Sequence, residues 1–133
     1  MLVRNLTTKF GENAGKIWQT LNQAVYSDEE KLQETTRLSK KEFYAGVGWL
    51  ARENKIKKEN EHYKLDSTNL TDTVGSTAGQ VWKILDIWDE ADLMTLAKLS
   101  DRSQEEVYAA LGWLAREGKI NHESGKYTLK SSD

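Results

Sequence analysis

The chain contains an internal sequence duplication, and this feature restricts the possible folds more than any other. The segment Gly-Trp-Leu-Ala-Arg-Glu-x-Lys-Ile occupies residues 48–56 and recurs at residues 112–120. A shift of 64 residues (112 − 48) aligns residues 5–65 with residues 69–129 without a gap, and 25 of these 61 positions are identical. The 133 residues are therefore predicted to form two copies of one small unit, repeat 1 at residues 1–66 and repeat 2 at residues 67–133.

Each repeat carries the pattern of three helices followed by a β-hairpin. Apolar residues at spacing i, i+3, i+4 and i+7 predict a first helix, with Asn13 and Thr77 as the expected N-caps. Ser39 and Ser103 each precede a glutamate by three residues, which is the capping-box pattern that opens a third helix. Two short alternating segments around a polar turn then predict a hairpin. The expected fold is mainly α with small β-hairpins (α+β), a tandem winged helix-turn-helix with three helices and a two-stranded wing per repeat.

Two repeated motifs resemble those of a known family. Gly-x-x-Ala-Gly-x-(Ile/Val)-Trp-x-x-Leu at 11–21 and 75–85, with the segments at 48–56 and 112–120, is similar to small winged helix-turn-helix domains of uncharacterised bacterial and archaeal proteins. The resemblance covers nearly the whole chain and implies the fold, whereas DNA binding follows from it only by analogy of fold. Those domains usually occur once per chain. If the single copies pair, this chain is expected to form the same pair internally.

Composition and motifs argue against an enzyme. The chain has no cysteine, so it has no disulfide, thiolate zinc site or cysteine nucleophile. Its two histidines, His62 and His122, occupy non-equivalent positions in charged segments and do not suggest a metal site. The glycine-rich residues 11–16 are one residue short of a phosphate-binding loop. We therefore predict no catalytic residue, no cofactor, no metal and no small-molecule substrate.

Charge and hydropathy bear on location and partners. No stretch approaches the roughly 20 apolar residues of a membrane span, and residues 1–9 lack the apolar core of a signal peptide, so a cytoplasmic protein without membrane contact is expected. The net charge of −2 divides unevenly. Residues 1–66 carry 12 basic and 10 acidic residues (+2), and residues 67–133 carry 7 and 11 (−4). Repeat 1 is therefore the better candidate for binding nucleic acid.

The third helix and wing of repeat 1 form the predicted contact with double-stranded DNA, because winged helices place these elements in the major groove and on the backbone. Opposite the apolar stripe, positions 41, 45, 48 and 52 put small residues between basic ends, whereas repeat 2 has Glu105 in place of Lys41. The predicted nucleic-acid-binding residues are Lys40, Lys41, Arg52, Lys55, Lys57 and Lys58. The alternative is a solvated face, balanced by the neighbouring carboxylates Glu42, Glu53, Glu59 and Glu61.

Repeat 2 carries a predicted protein interface. Ile84, Ile87 and Trp88 replace polar or small residues of repeat 1 and widen the apolar arc of the first helix, so this surface is expected to pack against repeat 1 or against a second chain in a homodimer. Trp49 and Trp113 lie off the apolar stripe of the third helix. Either the wing or the first helix covers them, or they are half-exposed and contact a partner or the sister copy.

Two classes of function follow. The first is a DNA-binding, regulator-type module in which repeat 1 contacts the duplex and repeat 2 serves pairing or partner binding. The second is a protein–protein interaction scaffold that binds no nucleic acid.

Overall fold

Both repeats have the same order of elements in the computed structural model, which describes residues 5–24 and 27–130. Repeat 1 consists of α1 (Leu6–Gln23), β1 (Ser27–Asp28), α2 (Glu29–Thr36), α3 (Lys40–Arg52), β2 (Ile56–Glu59) and β3 (His62–Leu65). Repeat 2 consists of α4 (Ser76–Trp88), β4 (Glu90–Ala91), α5 (Leu93–Ser100), α6 (Gln104–Arg116), β5 (Ile120–Glu123) and β6 (Lys126–Leu129). The predicted fold class, a mainly helical tandem of winged helices, is confirmed.

Each wing has one strand more than the sequence pattern predicts. β1 pairs antiparallel with β3, and β4 pairs antiparallel with β6, so each sheet has three strands. The hairpin turns lie where expected, because Asn60 and Glu61 in repeat 1 and Ser124 and Gly125 in repeat 2 all have positive φ. Positive φ at both central residues is the geometry of a tight two-residue hairpin turn.

The first helix of each repeat begins differently from the prediction. Asn5 caps α1, since its side-chain oxygen accepts a hydrogen bond from the Thr8 N–H at 2.8 Å. In repeat 2 a five-residue π-helical turn, Thr71–Gly75, leads directly into α4. Asn13 and Thr77 therefore lie inside helical structure and are buried, so the prediction that they are N-caps is wrong.

α3 and α6 pack against each other in the most extensive contact between helices. A Cβ placed on Gly48 would lie 1.8 Å from the Ala109 carbonyl oxygen, and one placed on Gly112 would lie 1.9 Å from the Ala45 carbonyl oxygen. The two contacts are equivalent under the 64-residue shift, so the repeats form an approximately twofold internal pair. Glycine is required at both points because any side chain would collide with backbone.

The hydrophobic cores of the repeats are joined across this contact. Phe10 of α1 packs within the core of repeat 2, with its ring centroid 5.6 Å from that of Tyr108. Ala45 of α3 belongs to the same cluster. In return, Trp113 and Leu70 pack on the core of repeat 1.

Candidate nucleic-acid and protein interfaces

The small-residue face of α3 is closed by the second repeat. Ala45 is 0% exposed, and Gly48 lies directly against the backbone of α6. The prediction that these two residues lie on an open face is wrong, because the small side chains admit a neighbouring helix. The central part of α3 therefore faces repeat 2.

Arg52 contacts the opposite repeat. Its Nε lies 3.0 Å from the Glu117 carboxylate, and its guanidinium lies 5.7 Å from the ring centre of Trp113. Arg116 makes the matching pair of contacts, at 2.9 Å to Glu53 and 5.8 Å to the ring of Trp49. Each guanidinium therefore joins a carboxylate and an aromatic face of the opposite repeat, where a cation–π contact adds to the ion pair.

Most of the other predicted DNA-binding lysines stand beside carboxylates. Lys40 lies 3.4 Å from Glu105 of repeat 2. The wing lysines pair locally, with Lys55 3.6 Å from Glu53, Lys57 3.5 Å from Glu59 and Lys58 3.9 Å from Glu61. Lys64 also donates to Glu59 at 3.0 Å, which lowers the pKa of that carboxyl and raises the pKa of the lysine. Lys41 is exposed. These pairings reduce the positive charge that the wing presents to a phosphate backbone.

A groove beside the first helix occurs in both repeats. In repeat 1 it has a volume of about 300 Å³, and its residues include Gly15, Trp18 and Trp49. In repeat 2 it has a volume of about 340 Å³ and includes Gly79, Trp82 and Trp113. Trp18 and Trp82 are 39% and 38% exposed. Eight of the nine aligned lining positions are identical, namely Gly11/Gly75, Ala14/Ala78, Gly15/Gly79, Trp18/Trp82, Trp49/Trp113, Leu50/Leu114, Glu53/Glu117 and Lys55/Lys119.

Residues from both repeated motifs line these tryptophan grooves. The first motif supplies the helix side of each groove, and the second motif supplies Trp49 or Trp113 with the charged rim. Trp49 is half-buried, with Gly11 of α1 against its ring and Arg116 of the sister copy beside it. Both alternatives drawn from the sequence therefore hold in part: the first helix covers the ring, and the ring also contacts the other repeat.

Repeat 2 exposes large apolar side chains where repeat 1 exposes polar or small ones. Ile87 is 75% exposed and Trp88 is 59% exposed, so neither is covered by repeat 1. Ile84 is partly buried against the core of its own repeat. Burial by a second chain stays a prediction for Ile87 and Trp88. Sequence reasoning missed two further exposed apolar residues on α5, Met94 and Leu99. Repeat 1 has the polar residues Glu30 and Thr35 at the aligned positions, and this replacement is the signal that could have found them.

A cavity of about 250 Å³ lies between the repeats and is lined by Tyr44, Lys58 and Val74 among others. Burial raises the pKa of Tyr44, whose hydroxyl donates a hydrogen bond to Glu29. Phe10, the counterpart of Val74 in the other repeat, instead packs on Tyr108. The cavity is therefore explained by the smaller side chain at position 74.

The described residues contain no group of three or more His, Cys, Asp or Glu side chains that could hold a metal ion. Burial lowers the pKa of His122, which stacks on Tyr127 with ring centroids 4.3 Å apart. This histidine is therefore an exposed wing residue that stacks on the buried Tyr127 ring.

Comparison with protein-family models matches the chain twice to one family, described as Winged helix-turn-helix domain (DUF2582), at residues 6–68 and 67–130. The chain belongs to this family. The resemblance predicted from the repeated motifs is thus confirmed, including its two tandem copies. No curated protein and no solved structure matches the chain.

The winged helix-turn-helix is a fold of the DNA-binding type and is typically non-enzymatic. In this winged helix-turn-helix pair, however, the third helices of both copies face each other. None of the helices in the described ranges, 5–24 and 27–130, is long and apolar enough to cross a membrane. The exposed surfaces of the described residues include the wings, the tryptophan grooves and the apolar surface of repeat 2.

Proposed function

We propose that this chain is a non-enzymatic protein-binding scaffold, in which an internal pair of winged helices presents its tryptophan grooves to partner proteins. The packing of α3 against α6 carries the proposal. A DNA-binding winged helix inserts its third helix into the major groove, and here the backbone at Ala109 occupies the space above Gly48. A duplex could reach this face only if the two repeats separated.

The open glycines support the grooves as binding sites. A glycine inside a helix costs about 1 kcal/mol relative to alanine. Nothing in the described part of the chain lies within 4 Å of a Cβ placed on Gly15 or Gly79, so packing within the chain does not explain these residues. Close approach by a partner does, and the exposed Trp18 and Trp82 beside them supply the aromatic surface typical of binding hot spots.

DNA binding by repeat 1 is the second candidate, because Lys41 and the wing lysines Lys55, Lys57 and Lys58 remain on the surface. In that function the wing would contact the phosphate backbone, with Lys40 and Arg52 at its margin and repeat 2 serving pairing or partner binding. The net charge of only +2 on residues 1–66 and the carboxylates beside the lysines predict weak DNA binding. If about five basic residues engaged phosphates, the slope of log K against log salt concentration would be about −4 to −5.

Titration of labelled random duplex DNA at low salt separates the two functions. The scaffold predicts no binding above that of a neutral control protein. Binding with the stated salt slope that is lost in a Lys41→Glu, Lys58→Glu variant would instead establish the second candidate and remove the scaffold as the primary function.

A photo-crosslinking residue placed at Gln19, which lines the groove of repeat 1, tests the scaffold directly in the cells that make the protein. We expect adducts with a defined protein, and we expect these adducts to be lost when Trp18 is changed to Ser. The same crosslinker at the exposed Glu34 on α2 serves as the control. Equal adducts at both positions, or adducts indifferent to Trp18→Ser, would contradict a groove-directed partner.

A further inference from the structure

We infer that the exposed face of α4 binds a second copy of this chain, with the two α4 helices antiparallel about a twofold axis midway between residues 84 and 85. Gly79, Lys83, Asp86 and Ile87 follow one another at spacing i, i+4, i+7 and i+8, so they form one stripe along the helix. All four residues are exposed. The stripe contains a large knob at Ile87, a hole at Gly79, and two opposite charges between them.

An antiparallel arrangement makes this stripe complementary to itself. An α-helix rises about 1.5 Å per residue. An axis midway between residues 84 and 85 brings Lys83 level with Asp86 of the other copy. The same axis brings Ile87 level with Trp82, about 4.5 Å along the helix from Gly79. There Ile87 meets the groove of about 340 Å³ beside Gly79. A twofold axis repeats the contact, so each Ile87 is buried in the groove of the other copy, as a closed isologous interface requires.

The charges are complementary in the same arrangement. Lys83 of each copy lies within reach of Asp86 of the other, which gives two equivalent ion pairs beside the apolar contact. Within the described residues neither Lys83 nor Asp86 has an ion pair at 4.0 Å or less. The pairs would fix the antiparallel direction, because a parallel arrangement places like charges side by side.

Repeat 1 provides the comparison that points to a second copy. Its α1 has the same groove and the same glycine at position 15, but the stripe continues with Gln19, Asn22 and Gln23. The duplication thus kept the hole in both repeats and placed the charges and the knob in repeat 2 alone. A surface built only to receive an unrelated partner has no need for a knob and a hole that fit each other.

Sedimentation velocity of the full chain across a concentration series tests the inference. We expect a concentration-dependent dimer of about twice the 15.2 kDa chain mass. Lys83→Asp and Asp86→Lys should each raise the dissociation constant roughly tenfold, since two ion pairs become two repulsions. The double exchange, Lys83→Asp with Asp86→Lys, restores opposite charges and should recover most of the affinity.

Gly79→Leu supplies the second variant, because it fills the hole that receives Ile87. It should abolish the dimer, whereas the matched change Gly15→Leu in repeat 1 should leave the dimer intact. Outside the adjoining helix backbone, nothing described lies within 4 Å of a Cβ placed at either position, so both variants should fold, which circular dichroism checks. A wild-type chain that stays monomeric, a dimer insensitive to Gly79→Leu, or a double exchange no better than the single changes would overturn the inference.

The inference names a second copy as the partner for the groove of repeat 2 and is independent of the proposed partner of repeat 1. Gly79→Leu leaves the Trp18 groove unchanged, so crosslinking at Gln19 should persist when the dimer is lost. A failure of crosslinking with an intact dimer would bear on the proposed function alone.

Discussion

Helix-interior glycines have two opposite roles in this chain. Gly48 and Gly112 lie where a backbone carbonyl of the other repeat approaches, and a Cβ there would be within 2 Å of oxygen. Gly15 and Gly79 lie in open space. The first pair is therefore needed for the internal fold, whereas the second pair weakens its helix and makes no close contact within the described residues.

Replacing glycine by alanine should lower stability at position 48 and raise it at position 15. Gly48→Ala forces the Ala109 backbone to move, which should lower the free energy of unfolding by about 3 kcal/mol, at the upper end for overpacked cores. Gly15→Ala removes only a poor helix former and should raise it by about 0.5–1 kcal/mol. Urea unfolding of both variants measures the difference. A harmless Gly48→Ala would contradict the close contact of α3 with α6.

The same glycines show why the site was harder to predict than the fold. Helical periodicity correctly separated the apolar stripe of α3 from its small-residue face, but it says nothing about what approaches that face. Ala45 and Gly48 fit a DNA groove and a neighbouring helix equally well as small residues. The deciding contact comes from residues about 64 positions away, and no local pattern in the sequence reports it.

The third helix of each repeat begins with a reciprocal capping box. In α3 the Ser39 hydroxyl accepts from the Glu42 N–H at 3.1 Å, and the Glu42 carboxylate accepts from the Ser39 N–H at 2.9 Å. Ser103 and Glu106 do the same in α6. The hydrogen bond from the serine backbone lowers the pKa of each glutamate below its ordinary value of 4.5.

These capping glutamates should make the internal pair sensitive to acid. Because their folded pKa values are depressed, their stabilising effect is present above the ordinary pKa of 4.5 and is lost as the pH falls through the folded values. Glutamine also fits the capping box but does not titrate in this range. A Glu42→Gln, Glu106→Gln variant should therefore lose less stability than wild type on acidification below pH 4.5. Urea unfolding midpoints of both proteins measured across this pH range test the prediction. If the midpoint fell equally with pH in the variant and in wild type, the role given to the two glutamates would be wrong.

Secondary-structure elements were predictable where the sequence carries a recognisable local pattern. The capping boxes and the hairpin turns were found because each is a local rule read from a few adjacent residues. β1 and β4 have two residues each, which is too short for alternation to show. The start of α1 was placed too late, because the apolar spacing indicated Asn13 as the cap, whereas Asn5 caps the helix.

The molecule as a whole is tied together by residues that cross between repeats. Phe10 lies in the core of repeat 2, and Arg52 and Arg116 each bind a carboxylate of the opposite repeat. Neither repeat keeps its full core when the other unfolds. The two repeats should therefore behave as a single cooperative unit.

Calorimetry should show one unfolding transition whose calorimetric and van't Hoff enthalpies agree, as for a two-state domain. Leu111→Ala in repeat 2 removes a fully buried side chain and should destabilise by about 2–5 kcal/mol. It should shift the whole transition rather than split it. Two resolved transitions, with only one moved by Leu111→Ala, would show that the repeats fold independently.

The placement of Phe10 also has a consequence for biosynthesis. Repeat 1 leaves the ribosome before the core that receives Phe10 exists, and its Ala45–Gly48 face is then uncovered. At roughly 5–20 residues per second, the 64 residues of the second copy follow within about 3–13 s. The second repeat is thus delivered on the same polypeptide as the first. Tandem duplication converts a subunit assembly step, which depends on concentration, into the closing step of folding a single chain.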